Sequence, residues 1–218
     1  MDDLNIDPND DPNIEKRSIF DCVKNPQLKK DRQNAIDGGE YLSTFFFSRI
    51  FLLYTFKESF DFSVVTEHPV LPANDRTRYD LGVKHWAPTQ IKSIHPSIAI
   101  PMDWITLLIS EGKYGKASNA EIATAENQVY LKCVSYVSND AHKNAVWALT
   151  YYGSYFRVWA YDKGSKCLIP FFPNNKSQGK GTYLDIQGNE EKFKIVTEYM
   201  KENKTPNIEE FDDIWNRL

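Results

Sequence analysis

The sequence predicts an α/β protein: a mixed central β-sheet flanked by helices on both faces. Three stretches predict it. Residues 105–111, ITLLISE, form a largely apolar run of strand length, the pattern of an interior strand buried on both sides. Ser118, with Glu121 at the third helical position, opens a helical pattern in which Ile122, Ala125, Val129 and Cys133 share one apolar face. Two β-rich runs, AVWALTYY and YFRVWAYD, are separated only by Gly153-Ser154, a pair suited to a type II′ hairpin turn. Helices interleaved with strands in this way cover a sheet.

The remaining elements follow in chain order. Residues 1–14, MDDLNIDPNDDPNI, are acidic and rich in Pro and Asn, and lack the basic and apolar regions of a signal peptide; a disordered acidic tail is expected there. Residues 15–218 are expected to form a single domain. A short helix is expected near residues 14–25, bounded by Pro26. Asp37 can cap a helix with Glu40 in the capping-box position, and the apolar run behind it predicts a buried helix over about 38–58. FSVVTEHPVL is strand-like, PANDRT is turn-rich, and RYDLGV is a second strand-like piece. The prolines in KHWAPTQIKSIHPSIAIPMDW leave either a strand or an irregular excursion. CLIPFF extends the hairpin into a meander, and TYLDIQ is a further short strand. Helices near 189–203 and 206–217 close the chain, the second opened by Thr205-Pro206.

Composition excludes several classes. The hydrophobic share of 41% and charged share of 26% are those of a soluble globular chain. The most apolar early stretch, FFFSRIFLLYTF, contains Arg49 and is too short to span a bilayer, so no membrane partner is expected. Cys22, Cys133 and Cys167 are odd in number and widely spaced, which points to a reducing, intracellular setting (cytoplasm or nucleus). His68, His85, His95 and His142 have no zinc-ligand spacing, and neither a Gly-rich phosphate loop nor a serine nucleophile elbow is present. The net charge of −4 argues against tight non-specific nucleic-acid binding by overall charge, while leaving room for local basic patches.

Candidate chemistry starts at Glu111-Gly112-Lys113. Residues two apart on a strand point to the same side, so Glu111 and Lys113 project together where an apolar strand ends. Glu190-Glu191-Lys192 and Glu202-Asn203-Lys204 share the spacing but fall on expected solvated helices. Asp80 lies on the upstream strand RYDLGV. If the two strands are neighbours, Asp80 and Glu111 form a carboxylate pair that repels unless a cation lies between. Two carboxylates, a backbone carbonyl and water are ligands that Mg²⁺ accepts. Lys113 can then orient a water or stabilise phosphate charge. Each residue also has a plainer role open to it. Glu111 and Lys113 can form a solvated ion pair worth roughly 0–1 kcal/mol, Asp80 can pair with Arg76 or Arg78, Gln128 can face solvent, Glu40 can act only in its capping box, and Glu67 can be simply exposed.

The order Asp80, Glu111-x-Lys113 on an apolar strand, then Gln128 on the next helix resembles the PD-(D/E)XK nuclease superfamily, the restriction-endonuclease-like fold, over roughly residues 38–162. The resemblance implies that Asp80 and Glu111 hold Mg²⁺ or Mn²⁺, with the Gly112 carbonyl as a third ligand. It also implies that Lys113 lies near the attacking water and that Gln128 supports the site. A helical Glu upstream sometimes joins such sites, and Glu40 is the nearest match. Two departures stand out: Tyr79 precedes Asp80 where the family has Pro, and the proline-broken interval from Asp80 to Glu111 requires an insertion. The expected function is a divalent-metal-dependent nuclease hydrolysing phosphodiester bonds in DNA or RNA. The alternative is a catalytically inactive nuclease-fold binding or regulatory module.

Overall fold

A computed structural model describes residues 25–57, 60–70, 78–88, 102–139, 143–175, 177 and 179–215. The expected acidic tail and the expected helix near 14–25 lie outside these residues, except for Asn25. Pro26 itself begins a helix. Helix α1 spans Pro26–Asp37, and the Asn25 side chain accepts from the backbone N–H groups of Gln27 and Leu28. A proline costs nothing at the first helical position, where its missing N–H has no partner to lose.

Helix α2, Glu40–Ile50, continues as a π-helical turn over Phe51–Thr55. The capping box expected at Asp37 is absent: Asp37 ends α1, Gly39 caps α2, and no cap side chain bonds to the helix. Strands β1 (Phe62–Pro69), β2 (Arg78–Pro88) and β3 (Met102–Lys113) follow. Helix α3, Asn119–Ser138, begins with the expected Ser118–Glu121 capping box. Strands β4 (Ala145–Tyr152) and β5 (Tyr155–Asp162) form the expected hairpin, with positive φ at Gly153 but not at Ser154, as a type II′ turn requires. Strands β6 (Cys167–Phe172) and β7 (Leu184–Asp185), α4 (Glu190–Glu202), a 3₁₀ turn over Ile208–Glu210 and α5 (Phe211–Trp215) complete the chain.

The fold is α/β with a mixed sheet, as the sequence predicts. The seven strands run in the order β1-β2-β3-β4-β5-β6, with β7 pairing to β5. Among the described residues, β3 and β4 are the one parallel pair and the other pairs are antiparallel. Strand β3 is interior, as its apolar run requires. The proline-broken interval resolves in part, since β2 extends to Pro88 and pairs there with Met102 at the start of β3; residues 89–101 lie outside the described residues.

Alternation along β4 sorts the core into two layers. Val146 and Ala148 pack with Val129, Cys133, Tyr136 and Val137 of α3. Trp147, Leu149 and Tyr151 pack with Phe46, Phe47 and Ile50 of α2 and Phe193 of α4. The buried face predicted for α3, Ile122, Ala125, Val129 and Cys133, is the one observed. A bulge re-phases β3. Val83 pairs with Leu108 while Lys84 pairs with Thr106, which leaves Leu107 extra. Leu107 and Leu108 therefore both join the α2 layer, and Ile109 turns to the α3 layer. Two residues on, Glu111 follows Ile109.

The β3–α3 turn packs tightly on α1. A Cβ on Gly115 would lie 2.1 Å from the Ile36 carbonyl oxygen and 2.6 Å from its carbon, and backbone at that distance does not yield as a flexible side chain would. Gly115→Ala should therefore lower the free energy of unfolding in urea by about 1–3 kcal/mol. Gly181→Ala, where a Cβ meets nothing within 4 Å, should be nearly neutral and serves as the control.

Candidate active site at the end of β3

Three elements bring the sequence-predicted residues together. Strand β3 carries Glu111 and Lys113, β2 carries Asp80 beside it, and α3 crosses over Glu111 because a parallel β3–β4 pair needs a helical crossover. Asp80 Oδ2 accepts the Gly112 backbone N–H at 2.8 Å, so the Asp80 carboxylate sits against the Glu111-Gly112 peptide. The arginine pairing open to it in sequence is not formed by Arg78, which donates instead to the Glu67 carbonyl at 2.9 Å; Arg76 lies outside the described residues.

Glu111 is not a solvated strand end. It is 3% exposed and forms a buried ion pair with Lys132 of α3. Burial, reinforced by the nearby Asp80 charge, pushes its carboxyl from the ordinary value of 4.5 up to about 7, and Lys132 and Lys113 only partly offset the rise. Lys113 reaches the other way. Its Nζ lies 3.4 Å from Glu40 Oε2, at the start of α2. Glu40 is therefore a partner of the site and not a capping residue. Helix α2 is held in place for this by buried contacts at the end of β4: Tyr151 donates to Thr44 Oγ1 at 2.9 Å, and the Gly153 N–H donates to Ser43 Oγ at 3.0 Å.

Gln128 lies one helical turn before Lys132 on α3. It is half-buried, and its Oε1 is buried without a hydrogen-bond partner among the described residues. Lys132 escapes a motif-based reading, yet a signal was present. It is a lysine next to Cys133 on the apolar face of α3, four residues after Gln128, where a buried cation requires a buried anion. Glu67 also belongs here. It lines one cavity of about 480 Å³ with Glu40 and Asp80, and it adopts φ 48°, a left-handed conformation rare outside glycine. A second cavity of about 490 Å³ is lined by Glu126, Tyr130, Arg157 and Trp159. There the buried Arg157 is occupied by the carbonyls of Asn175 and Ser177 and by Thr182 Oγ1, so it ties these three residues to β5.

The donors at the end of β3 suit a hard divalent cation. All are oxygens, and although burial is the main cause of the Glu111 shift, the added repulsion from Asp80 is what a cation would relieve. Among the described residues, no three His, Cys, Asp or Glu side chains are grouped to hold a metal, so any ion here would rest on Asp80, Glu111, a backbone carbonyl and water, a sparse set of the kind Mg²⁺ accepts. No helix among the described residues is long and apolar enough to cross a membrane. No family model, curated protein or solved structure matches the chain.

The Glu111 shift has a stability signature in metal-free protein. Between pH 4.5 and about 7 the folded chain keeps a proton that the unfolded chain has released. The associated stabilisation is complete below pH 4.5 and is lost as pH rises through 7. Relative to Glu111→Gln, the wild type should lose about 3 kcal/mol between pH 4.5 and 8 in EDTA, read by urea denaturation. A pH-independent difference would show that Glu111 ionises normally.

Proposed function

We propose that the chain is a divalent-metal-dependent nuclease that hydrolyses phosphodiester bonds in nucleic acid. The observation that carries this reading is the meeting of Asp80, Glu111 and Lys113 at the end of an interior strand, with Glu111 forced into a buried, carboxylate-crowded position. The helix, strand pair, apolar strand, helix and hairpin that carry the resemblance to the PD-(D/E)XK superfamily occur in that order. This too supports the reading.

In this reading Asp80, Glu111 and the Gly112 carbonyl would hold Mg²⁺ or Mn²⁺, which would supply a water of lowered pKa and polarise the phosphoryl oxygens. The chain's own groups do the rest. Asp80 is fixed by the Gly112 N–H, so its second oxygen is left to ligate. Lys132 holds the Glu111 carboxylate in one orientation from the α3 side. Lys113, released from Glu40, places a compact positive charge beside the attacking water or the phosphate. Gln128 offers an amide to orient that water. A second reading, an inactive nuclease-fold binding or regulatory module, is favoured by the Lys132 pair, which already neutralises Glu111 without a metal.

A cleavage assay on mixed single- and double-stranded DNA and RNA, with Mg²⁺ or Mn²⁺, separates the two. Lys113→Ala should reduce cleavage by roughly 10²-fold or more while metal affinity measured by calorimetry stays within a few-fold of wild type. Glu111→Ala should lose both. Lys113→Arg should rescue poorly, because a planar fork does not replace a compact ammonium. Absence of metal-dependent cleavage on every substrate leaves the binding-module reading.

A further inference from the structure

We infer that the cleft beside this site takes an unpaired strand, its bases stacked on Tyr41 and Phe45, so that the substrate is single-stranded nucleic acid. This deepens the nuclease reading and rests on it. Helix α2 divides its residues by face: Ser43, Phe46, Phe47 and Ile50 are buried, whereas Tyr41 is 72% and Phe45 46% exposed. One turn apart, these two rings are neighbours on the helix surface. Large aromatic side chains left in water on a helix call for a partner.

Their position says which partner. Tyr41 and Phe45 line the same 480 Å³ cavity as Glu40, Glu67 and Asp80, so whatever rests on the rings is continuous with whatever reaches the carboxylates. A base can lie flat on an exposed aromatic ring only when it has left its own stack, which an unpaired strand allows and an intact duplex does not. Three acids on the cleft wall repel a phosphate backbone, so recognition there needs a contact that does not depend on charge. Stacking of a base on an aromatic face is such a contact, and it tolerates any sequence because every base has a π-face. Among the described residues no ring packs on Tyr41 or Phe45. The Arg49 guanidinium lies 5.8 Å from the Phe45 ring centroid and is itself paired to Asp31 at 3.2 Å. The rings are therefore open on the cleft side.

The test is fluorescence anisotropy with labelled single-stranded DNA, the matching RNA, the matching duplex and an abasic strand, all with Ca²⁺ in place of Mg²⁺. Wild type should bind at least one intact single strand more tightly than the duplex or the abasic strand, and the DNA and RNA arms identify the sugar. Tyr41→Ala/Phe45→Ala, with an unchanged circular dichroism spectrum, should lose roughly tenfold or more on that strand. The indole emission of Tyr41→Trp should be quenched by it. Equal affinity for duplex and single strand, equal affinity for the abasic strand, no binding by any probe, or an unaffected double variant would each overturn the inference. So would a wild-type dimer that the double variant converts to monomer, since the rings would then be a subunit interface. Quenched binding without cleavage in Mg²⁺ or Mn²⁺ rejects the hydrolytic reading and leaves the stacking assignment standing. Cleavage insensitive to both rings does the reverse.

Discussion

The parallel pairing of β3 with β4 is the constraint on which the site depends. Antiparallel neighbours can be joined by a tight turn, but a parallel neighbour must be reached by a crossover, and here the crossover is α3. Its apolar face covers Ile109, Val146 and Ala148, and its register sets Lys132 over Glu111. The bulge at Leu107 completes the arrangement. Without that extra residue the strand downstream would present its opposite face, and Glu111 would point into the aromatic layer of Phe46, Phe47 and Tyr151. Topology supplies the helix over the site, and one inserted residue aims the carboxylate at it.

The electrostatics are costly by design of the fold. A buried ion pair of the Glu111–Lys132 kind seldom adds net stability over a well-packed apolar pair, because desolvation offsets the Coulomb attraction. Here Asp80 makes matters worse for Glu111, whose carboxyl is pushed up to about 7 despite two nearby lysines. A chain that keeps acids crowded at the end of its most protected strand retains a local instability that a bound divalent cation would remove. Glu40 and Lys113 add a second, more exposed pair across the strand end. The four charges beyond Asp80 thus form two pairs, one from each helical layer, meeting at β3.

Much of this was legible in the sequence, for identifiable reasons. The run at 105–111 has the pattern of an interior strand, Ser118 and Glu121 stand directly before an apolar helical face, and Gly153-Ser154 suits a type II′ hairpin. Asp80 lies against the Glu111-Gly112 peptide, as neighbouring strands imply, but Glu111 turns to Lys132 of α3 and Lys113 to Glu40 of α2, which same-side spacing on the strand does not foretell. The failures were local ambiguities. The helix that Pro26 begins went unread, because its start is marked by Asn25, capping from the preceding position. Asp37 and Glu40 have capping-box spacing, yet Gly38 and Gly39 break the chain between them, and α1 claims Asp37. The Glu40–Lys113 and Glu111–Lys132 pairs join residues far apart in sequence, so no spacing rule announces them. The bulge at Leu107 is equally silent, since Leu107 and Leu108 are both apolar and either phase of the strand reads the same.

The central claim is that Asp80 and Glu111 are poised to share a divalent cation, and proton release on metal binding tests it most directly. Calorimetric titration with Mn²⁺ at pH 6 and at pH 8, each in two buffers of different ionisation enthalpy, counts the protons displaced. If Glu111 titrates near 7 and becomes a ligand, binding should release close to one proton at pH 6 and close to none at pH 8, with weaker affinity at the lower pH. Binding that displaces no proton at either pH, or affinity no greater than that of Asp80→Ala/Glu111→Ala, would contradict the account.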